Sequence, residues 1–240
     1  MDYVEMLSRL GAGSAHPGGF KASIEQLQKY PLPSSGSILE VGCGTGRTAC
    51  YLAEQGYQVV AVDIHPQMLA KAKQRAKDSG LEVAFQQADA HALPFADNSF
   101  DVLLAESVTN FTRARQSVAE YLRVLKPGGV LYNREMLVRE SISENIRQEI
   151  SAFYGMPHMM NRDEWRNVLA DCGFNRIDIL EVNEINEEKI DQQYEYPDVH
   201  QVIDDGVLFD IELLECGIQS SWILLDNKDQ LEYGVIRAFK

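Results

Sequence analysis

The sequence predicts an α/β fold in which helices wind around both faces of a mostly parallel, seven-stranded sheet. Short apolar runs alternate with helical patterns of about 10–15 residues from residue 37 to residue 136, the arrangement that builds a parallel sheet. A glycine-rich turn, LEVGCGTGR, ends the first apolar run. The final segment, QLEYGVIRAFK, is a further apolar run that predicts an antiparallel last strand.

Five strands are predicted in the first part of the sheet, each of them a short apolar run bounded by turn residues. They are SILEV (37–41), YQVVAVDI (57–64), LEVAFQQAD (81–89), FDVLLAES (100–107) and GVLYNREM (129–136). The segments between them predict helices. Gly56 and Gly80 end the first two helices, Pro66 fits the first turn of the second, and KPGG (126–129) closes a later one.

The pattern loosens beyond residue 136. An apolar helical face is predicted at residues 142–153, ahead of the irregular stretch YGMPHMMN. Asn161 or Asp163 caps a helix that ends at CGF, before a sixth strand, NRIDILEV. Residues 184–220 predict a helical insertion around VLFDIELLECG, and SWILLDN is predicted to pair with the last strand. We therefore expect one domain, residues 1–240, with a core at 37–136 and insertions at 137–160 and 184–220.

Charge is unevenly distributed along the chain. The formal net charge is −14, and residues 181–240 alone carry fifteen Asp or Glu against four Lys or Arg. Such a surface repels phosphate backbones, so nucleic acid is not an expected partner. The acidic segment is interpreted either as a solvated face or as a surface that attracts a cationic substrate.

Several features predict a cytoplasmic protein. No apolar run reaches the roughly 18 residues of a membrane span, and the N-terminus, MDYVEMLSRL, does not resemble a signal peptide. The four cysteines are scattered and form no CxxC pair, which predicts neither disulfides nor a metal site. The sequence leaves open whether the chain forms a homodimer.

The glycine turn is one position away from a dinucleotide-binding fingerprint. That fingerprint is GxGxxG, whereas Gly42, Gly44 and Gly46 have the spacing GxGxG, and Arg47 stands at the third-glycine position. The departure alone decides little between a nicotinamide dinucleotide and another ligand.

Acidic residues around the turn favour a cationic ligand. Glu40, Asp63, Asp89 and Glu106 stand at the ends of four successive predicted strands. Because parallel strands end at the same edge of a sheet, these carboxylates form a negative crevice. Such a crevice disfavours a pyrophosphate and favours a sulfonium cation.

Four motifs, taken together, resemble the class I S-adenosylmethionine-dependent methyltransferases. They are LEVGCGTGR, VVAVDI, QADAHALPFADNSFDVLLAES and LKPGG, in this order, over residues 38–130. The resemblance is strongest to the small-molecule branch that includes the ubiquinone and menaquinone C-methyltransferases. It extends to NRDEWRNVLADCGF, which is similar to the helix before strand six, and to HPGG (16–19), which is similar to an N-terminal loop over the cofactor. Residues 1–36 are accordingly expected to cover the cofactor.

The resemblance implies a Rossmann-like methyltransferase fold and assigns roles at the methionine half of S-adenosylmethionine. Gly42, Gly44 and Gly46 would bring backbone against the methionyl part. Glu40 would contact its amino end, and Glu106 occupies a position that meets the same moiety in relatives.

At the adenosine half, the resemblance assigns Asp63 to the ribose hydroxyls. Ile64 and Met68 would pack on the adenine, and Asp89 and Ala90 would recognise its edge. Structural alternatives stay open: Asp63 suits a helix cap, Asp89 a loop, and Met68 the core.

The implied reaction is methyl transfer to a small-molecule acceptor by in-line displacement. The protein then aligns the acceptor and excludes water, and it needs a base only when the acceptor must lose a proton. The polar candidates on the acceptor side are His16, Tyr132, Glu135, Tyr154 and His158, with Glu106. His158 is our first choice for a catalytic base, and Tyr132 is the second catalytic candidate. Two alternatives are a non-catalytic S-adenosylmethionine-binding protein and a nicotinamide-dependent oxidoreductase.

Overall fold

A seven-stranded sheet forms the centre of the protein. The computed structural model describes residues 1–185 and 195–240, so part of the predicted 184–220 insertion, residues 186–194, lies outside the described residues. The strands are β1 (Ser37–Val41), β2 (Gln58–Asp63), β3 (Ala84–Gln87), β4 (Phe100–Glu106), β5 (Leu125–Val138), β6 (Arg176–Glu184) and β7 (Leu231–Phe239). They lie in the order β3-β2-β1-β4-β5-β7-β6.

The direction of the strands confirms the predicted fold class. Strands β1 to β5 are all parallel to one another, whereas β7 runs antiparallel to both β5 and β6. The last strand is therefore antiparallel, as predicted. It lies between β5 and β6 rather than at the edge of the sheet.

Eight α-helices are described around the sheet. They are α1 (Tyr3–Leu10), α2 (Gly19–Lys29), α3 (Arg47–Glu54), α4 (Pro66–Asp78), α5 (Ala114–Val124), α6 (Glu144–Tyr154), α7 (Arg162–Cys172) and α8 (Ile211–Asp226). Local sequence sets several of their ends. Asn161 and Glu164 form a reciprocal capping box at the start of α7, and Gly173 ends that helix in the left-handed conformation.

The predicted strand SWILLDN is wrong, because these residues belong to the end of α8 and the turn after it. The buried residues of α8 are Leu213, Cys216, Ser220 and Ile223. Their spacing of three or four positions places them on one face of a helix, so the apolar run continues the insertion instead of entering the sheet.

Apolar residues fill both faces of the sheet. Ile38 belongs to the buried cluster that contains Leu52 of α3 and Leu69 of α4, whereas its neighbour Leu39 belongs to the cluster that contains Val118 of α5 and Trp165 of α7. Successive residues of β1 thus point to opposite faces, both of which helices cover. Of the helices in the described part of the chain, none is long and apolar enough to cross a membrane.

Candidate cofactor site

The glycine turn joins β1 to α3 at the carboxyl edge of the sheet. Gly42, Gly44 and Gly46 have φ angles of 69°, 52° and 75°, a region that glycine enters without steric cost. The backbone N–H groups of Gly42 and Cys43 both donate to the carbonyl of Val62 at the end of β2, at 2.7 and 3.0 Å. The turn is therefore fastened to the neighbouring strand.

The three glycines differ in what surrounds them. A Cβ atom on Gly42 would overlap the side chain of Val108, and one on Gly46 would lie 2.8 Å from the Cβ of Ala72. A Cβ on Gly44 would meet none of the described atoms within 4 Å. Gly42 and Gly46 thus serve close packing, and Gly44 presents bare backbone to open space.

Asp63 supports this turn from the end of β2. Its Oδ2 accepts the N–H of Gly44, and its Oδ1 accepts the N–H of His65, both at 2.8 Å. Burial raises the pKa of the Asp63 carboxyl, and the two N–H donors oppose this shift. A carboxylate has about four acceptor positions, so two backbone bonds leave it able to accept further donors.

Glu40 is the most enclosed carboxyl group of the site. Its side chain is 4% exposed, and its Oε2 atom has no hydrogen-bond partner within the described residues. Burial raises its pKa well above the usual range, and the nearby carboxyls of Glu106 and Asp63 raise it further. A cation next to Glu40 would reverse these effects and stabilise the carboxylate.

Glu106, at the end of β4, is instead neutralised from within the protein. Its two oxygens accept hydrogen bonds from the hydroxyls of Ser23, at 2.5 Å, and Thr48, at 2.7 Å. Arg134 Nε lies 3.5 Å and His16 Nε2 3.8 Å from Glu106 Oε1. Burial raises the pKa of Glu106, but His16, Arg134 and the hydroxyls of Ser23 and Thr48 together more than reverse this shift and leave the pKa below its ordinary value. Glu106 therefore ties the N-terminal segment to the sheet.

The residues predicted to hold the adenine lie beyond Asp63, on the loops after β2 and β3. Ile64 is 53% exposed, whereas Met68 and Ala90 are buried. Asp89 is exposed, and its Oδ1 accepts the N–H of His91 at 2.9 Å. That backbone bond lowers the pKa of Asp89, as does the side chain of His91. Ile64 is thus the apolar surface available next to Asp63.

The two predicted catalytic residues lie in different surroundings. His158 is exposed and lines a groove of about 1000 Å³ between α5, α6 and α7, and the described lining includes none of the predicted cofactor-binding residues. Tyr132 is buried on β5, opposite Leu104 and Arg237 in the sheet. Its ring centroid lies 6.4 Å from that of Tyr30. Tyr132 thus has the surroundings of a core residue.

The other acceptor-side candidates also lie in different parts of the structure. His16 is buried, with its Nε2 3.2 Å from the hydroxyl of Ser23, so the structure brings it to Glu106. Tyr154 is buried beneath α8, where its hydroxyl contacts Ser220. Glu135 is fully buried on β5, and its Oε1 accepts the N–H of Thr109 at 2.8 Å. Of these candidates, His16 and Glu106 are in contact range of each other.

Sequence reasoning missed the polar residues that brace the site. These residues are Ser23, Thr45, Thr48, Arg75 and Arg134. Arg75 follows the apolar face of α4 by one helical turn from Ala72, a spacing that places it on the buried side. Ser23 and Arg134 carry no comparable signal, because their partners are far away in the sequence.

The fold and the site together define a class of protein. In an open α/β sheet, ligands bind beyond the carboxyl ends of the strands, where the strand order reverses. The glycine turn, Glu40 and Asp63 lie at that place, between β2 and β4. In the described chain, no group of three or more His, Cys, Asp or Glu side chains is placed to hold a metal ion. The arrangement is that of an α/β protein that binds a nucleoside cofactor with a cationic part.

Comparison with known sequences gives the family. A family model described as a methyltransferase domain matches residues 39–133. The uncharacterized methyltransferase YodH of Bacillus subtilis is 39% identical over 178 residues, which are 74% of this chain and 76% of YodH. The demethylmenaquinone methyltransferase of Thermus thermophilus is 46% identical over 108 residues, 44% of this chain and 47% of that protein. The chain belongs to the class I S-adenosylmethionine-dependent methyltransferases.

Solved structures show the same fold in proteins of low sequence identity. Phosphoethanolamine N-methyltransferase 2 of Haemonchus contortus, in complex with S-adenosylmethionine, matches with a TM-score of 0.73 and 22% identity, over 99% of this chain and 57% of that chain. The [4+2]-cyclase SpnF matches with a TM-score of 0.72 and 21% identity, over 99% of this chain and 92% of that chain.

Proposed function

We propose that this protein transfers the methyl group of S-adenosylmethionine to a small-molecule acceptor. The observation that carries the proposal is the buried carboxyl of Glu40, which has an unpartnered oxygen among the described residues and lies near Asp63 and Glu106. A ligand with an ammonium group and a sulfonium centre supplies the positive charge that this crevice lacks. Family membership agrees with this choice of cofactor.

The residues of the site fit the cofactor in three parts. Glu40 would accept hydrogen bonds from the amino group, and Gly44 would let the methionyl chain approach the backbone. Asp63, with acceptor capacity left on its carboxylate, would hold the ribose hydroxyls.

Ile64 offers its exposed side chain to the adenine, and Met68 would support the same ring from α4. Asp89 and the backbone of Ala90 would recognise the edge of the ring. When bound, the cofactor supplies an activated methyl group, and the protein contributes position and a dry environment.

We propose that the N-terminal segment, residues 1–36, covers this site. A Cβ atom at Gly13 would lie 3.1 Å from the Oγ1 of Thr45 in the glycine turn. Farther along, His16 and Ser23 reach Glu106 at the end of β4. These contacts close over the carboxyl edge of the sheet, which favours a small acceptor over a macromolecule. The acidic charge of the chain likewise disfavours nucleic acid as the acceptor.

For acceptors that must lose a proton, the contacts favour His16 over His158 as the base. Burial lowers the pKa of His16, and the nearby Glu106 opposes this shift. Ser23 lies between the two residues: its hydroxyl contacts the ring nitrogen and donates to Glu106. The Glu106 carboxylate would stabilise the imidazolium through this hydroxyl. His158 instead lines an exposed groove that it shares with Glu144 and Glu164, away from the proposed cofactor residues.

Calorimetric titration with S-adenosylmethionine, S-adenosylhomocysteine and NADH tests the choice of cofactor. We expect both adenosyl ligands to bind and NADH not to bind. An acceptor screen that records S-adenosylhomocysteine release then tests catalysis. Binding without turnover on any acceptor would favour the non-catalytic alternative, and binding of NADH alone would favour an oxidoreductase.

A further inference from the structure

The guanidinium group of Arg75 joins the glycine turn to the acidic part of the chain. Its Nε donates to the carbonyl of Thr45 at 2.8 Å, and its terminal nitrogens lie 2.5 and 2.7 Å from the two carboxylate oxygens of Asp198. The side chains of Arg75 and Asp198 are 4% and 9% exposed. A buried, bidentate ion pair is therefore hydrogen-bonded to the glycine turn that we propose binds the cofactor.

Two further cations of the core hold the same acidic segment. Lys71 of α4 lies 2.7 Å from Asp204 and also donates to the carbonyl of Ser8. Arg47, at the start of α3, donates to the carbonyl of Tyr196 and lies over the ring of Phe20, 4.1 Å from its centroid. We call residues 195–204 the strap. It is fastened to α3 and α4 and lies against the N-terminal segment.

The pairing gives the acidic region a structural role that its composition did not suggest. Four acids between residues 195 and 210 pair with cations from residues 9–75. The pairs are Glu195 with Lys21, Asp198 with Arg75, Asp204 with Lys71, and Asp210 with Arg9. These acids therefore hold residues 195–210 against the rest of the protein through ion pairs, in addition to forming a solvated face.

We propose that Arg75 and Asp198 are positioning residues, which couple closure of the strap to the shape of the glycine turn and so slow the release of the cofactor. The inference rests on the proposed function, because it concerns the same cofactor site. Arg75 is the physical link, since one guanidinium bonds both to the turn and to the strap.

Loss of the Arg75–Asp198 ion pair is expected to open the strap. If Asp198 loses its charge, the buried guanidinium keeps its bond to Thr45 but loses its counter-ion. An uncompensated buried charge is unstable, so the strap opens more often and admits water. A Cβ at Gly13 would lie 2.7 Å from Asp198 Oδ2, so the N-terminal cover rests on the same carboxylate and would loosen with it.

The first experiment follows amide hydrogen exchange in the absence of any ligand. We expect Asp198→Asn to speed exchange across residues 196–204 and at the glycine turn, with no such change in the distant strand β6. Asp205→Asn is the matched control, because it removes the same charge from an exposed neighbour of the strap. Wild-type exchange in Asp198→Asn would overturn the coupling, whatever the cofactor proves to be.

The second experiment measures the release of S-adenosylhomocysteine by rapid dilution. We expect release about tenfold faster in Asp198→Asn, because a strap that opens more often gives the ligand a path out of the site. Arg75→Lys keeps the positive charge, but its single amino group cannot bond to Thr45 and to both oxygens of Asp198 as the guanidinium does. We therefore expect this variant also to release the ligand faster than the wild type. Unchanged release in both variants would overturn the proposal. Failure of the wild type to bind the ligand would instead remove the proposed function, even if the exchange result stood.

Discussion

The backbone N–H of Gly44 donates a hydrogen bond of 2.8 Å to Oδ2 of Asp63. This bond joins the end of β2 to the most open glycine of the turn after β1. Two residues that are assigned to different halves of the cofactor thus hold each other in place before any ligand is present. Asp63 is consequently both a ligand-binding candidate and a support for the turn.

This double role sharpens what replacement of Asp63 should do. We expect Asp63→Ala to weaken S-adenosylmethionine binding by about 1.5–3 kcal/mol, the range for hydrogen bonds to a charged group. Calorimetric titration measures the change. Asp78→Ala, at the exposed end of α4, is the control and should bind normally. If Asp63→Ala folds and binds like the wild type, the ribose assignment is wrong.

Two substitutions in the glycine turn are expected to differ in how much they destabilise the fold. Gly44→Ala meets open space among the described residues, so it should cost about 1 kcal/mol of folding stability for its positive φ and abolish cofactor binding. Gly42→Ala would in addition overlap Val108, so it should destabilise the fold by more. Urea unfolding and ligand titration on both variants check this. Normal cofactor binding by Gly44→Ala would show that the ligand does not approach this glycine.

The two histidines give a test of proton transfer. We expect His16→Ala to lower turnover strongly on an acceptor that must be deprotonated, because the ring near Glu106 is then lost. His158→Ala should leave cofactor affinity unchanged, because His158 lines a groove away from the described cofactor residues, and it should lower turnover less than His16→Ala. The measurement is the pH–rate profile of each variant with one acceptor. A larger loss in His158→Ala would restore the original choice of base.

The sheet was predictable because its signals are local. Apolar runs, the glycine turn and the capping residue Asn161 act within a few positions of the chain, and their pattern specifies β1 to β5 and α7. The end of α8 was misassigned because a helix that buries one face and exposes large apolar residues, such as Trp222, on another has no clear alternation. Periodicity alone does not separate such a run from a strand.

The residues of the site also differ in whether local sequence signals could predict their positions. The residues after β1 and β2 could be placed from their spacing alone, since each follows its strand directly. The partners of Glu106 and Arg75 could not, because Ser23 and Asp198 are 83 and 123 positions away in the chain. Long-range ion pairs depend on how the insertions fold back, and no local pattern specifies that.

The ionisation of Glu135 is expected to make the folding stability of the protein depend on pH. It is fully buried, and its Oε2 has no hydrogen-bond partner in the part of the chain that the structure describes. Burial raises its pKa from 4.5 to about 8, although the N–H of Thr109 and its neighbours oppose the shift. The folded protein therefore keeps this proton up to about pH 8, whereas the unfolded chain loses it near pH 4.5. The contribution of Glu135 to stability is fully present below pH 4.5, falls as the pH rises from there, and is lost once the pH has passed about 8.

Glu135→Gln should remove this dependence, because the amide keeps an acceptor for Thr109 and never ionises. We expect the free energy of unfolding of the variant, relative to the wild type, to rise between pH 5 and pH 8 by at most about 4 kcal/mol. Urea unfolding at each pH unit over that range measures it. Glu120→Gln is the control: the Arg123 side chain lowers the pKa of Glu120, so its ionisation is complete below this range and the difference from wild type should stay flat. A flat difference for Glu135→Gln as well would mean that Glu135 is ionised in the folded protein throughout, with a cation or water beside it.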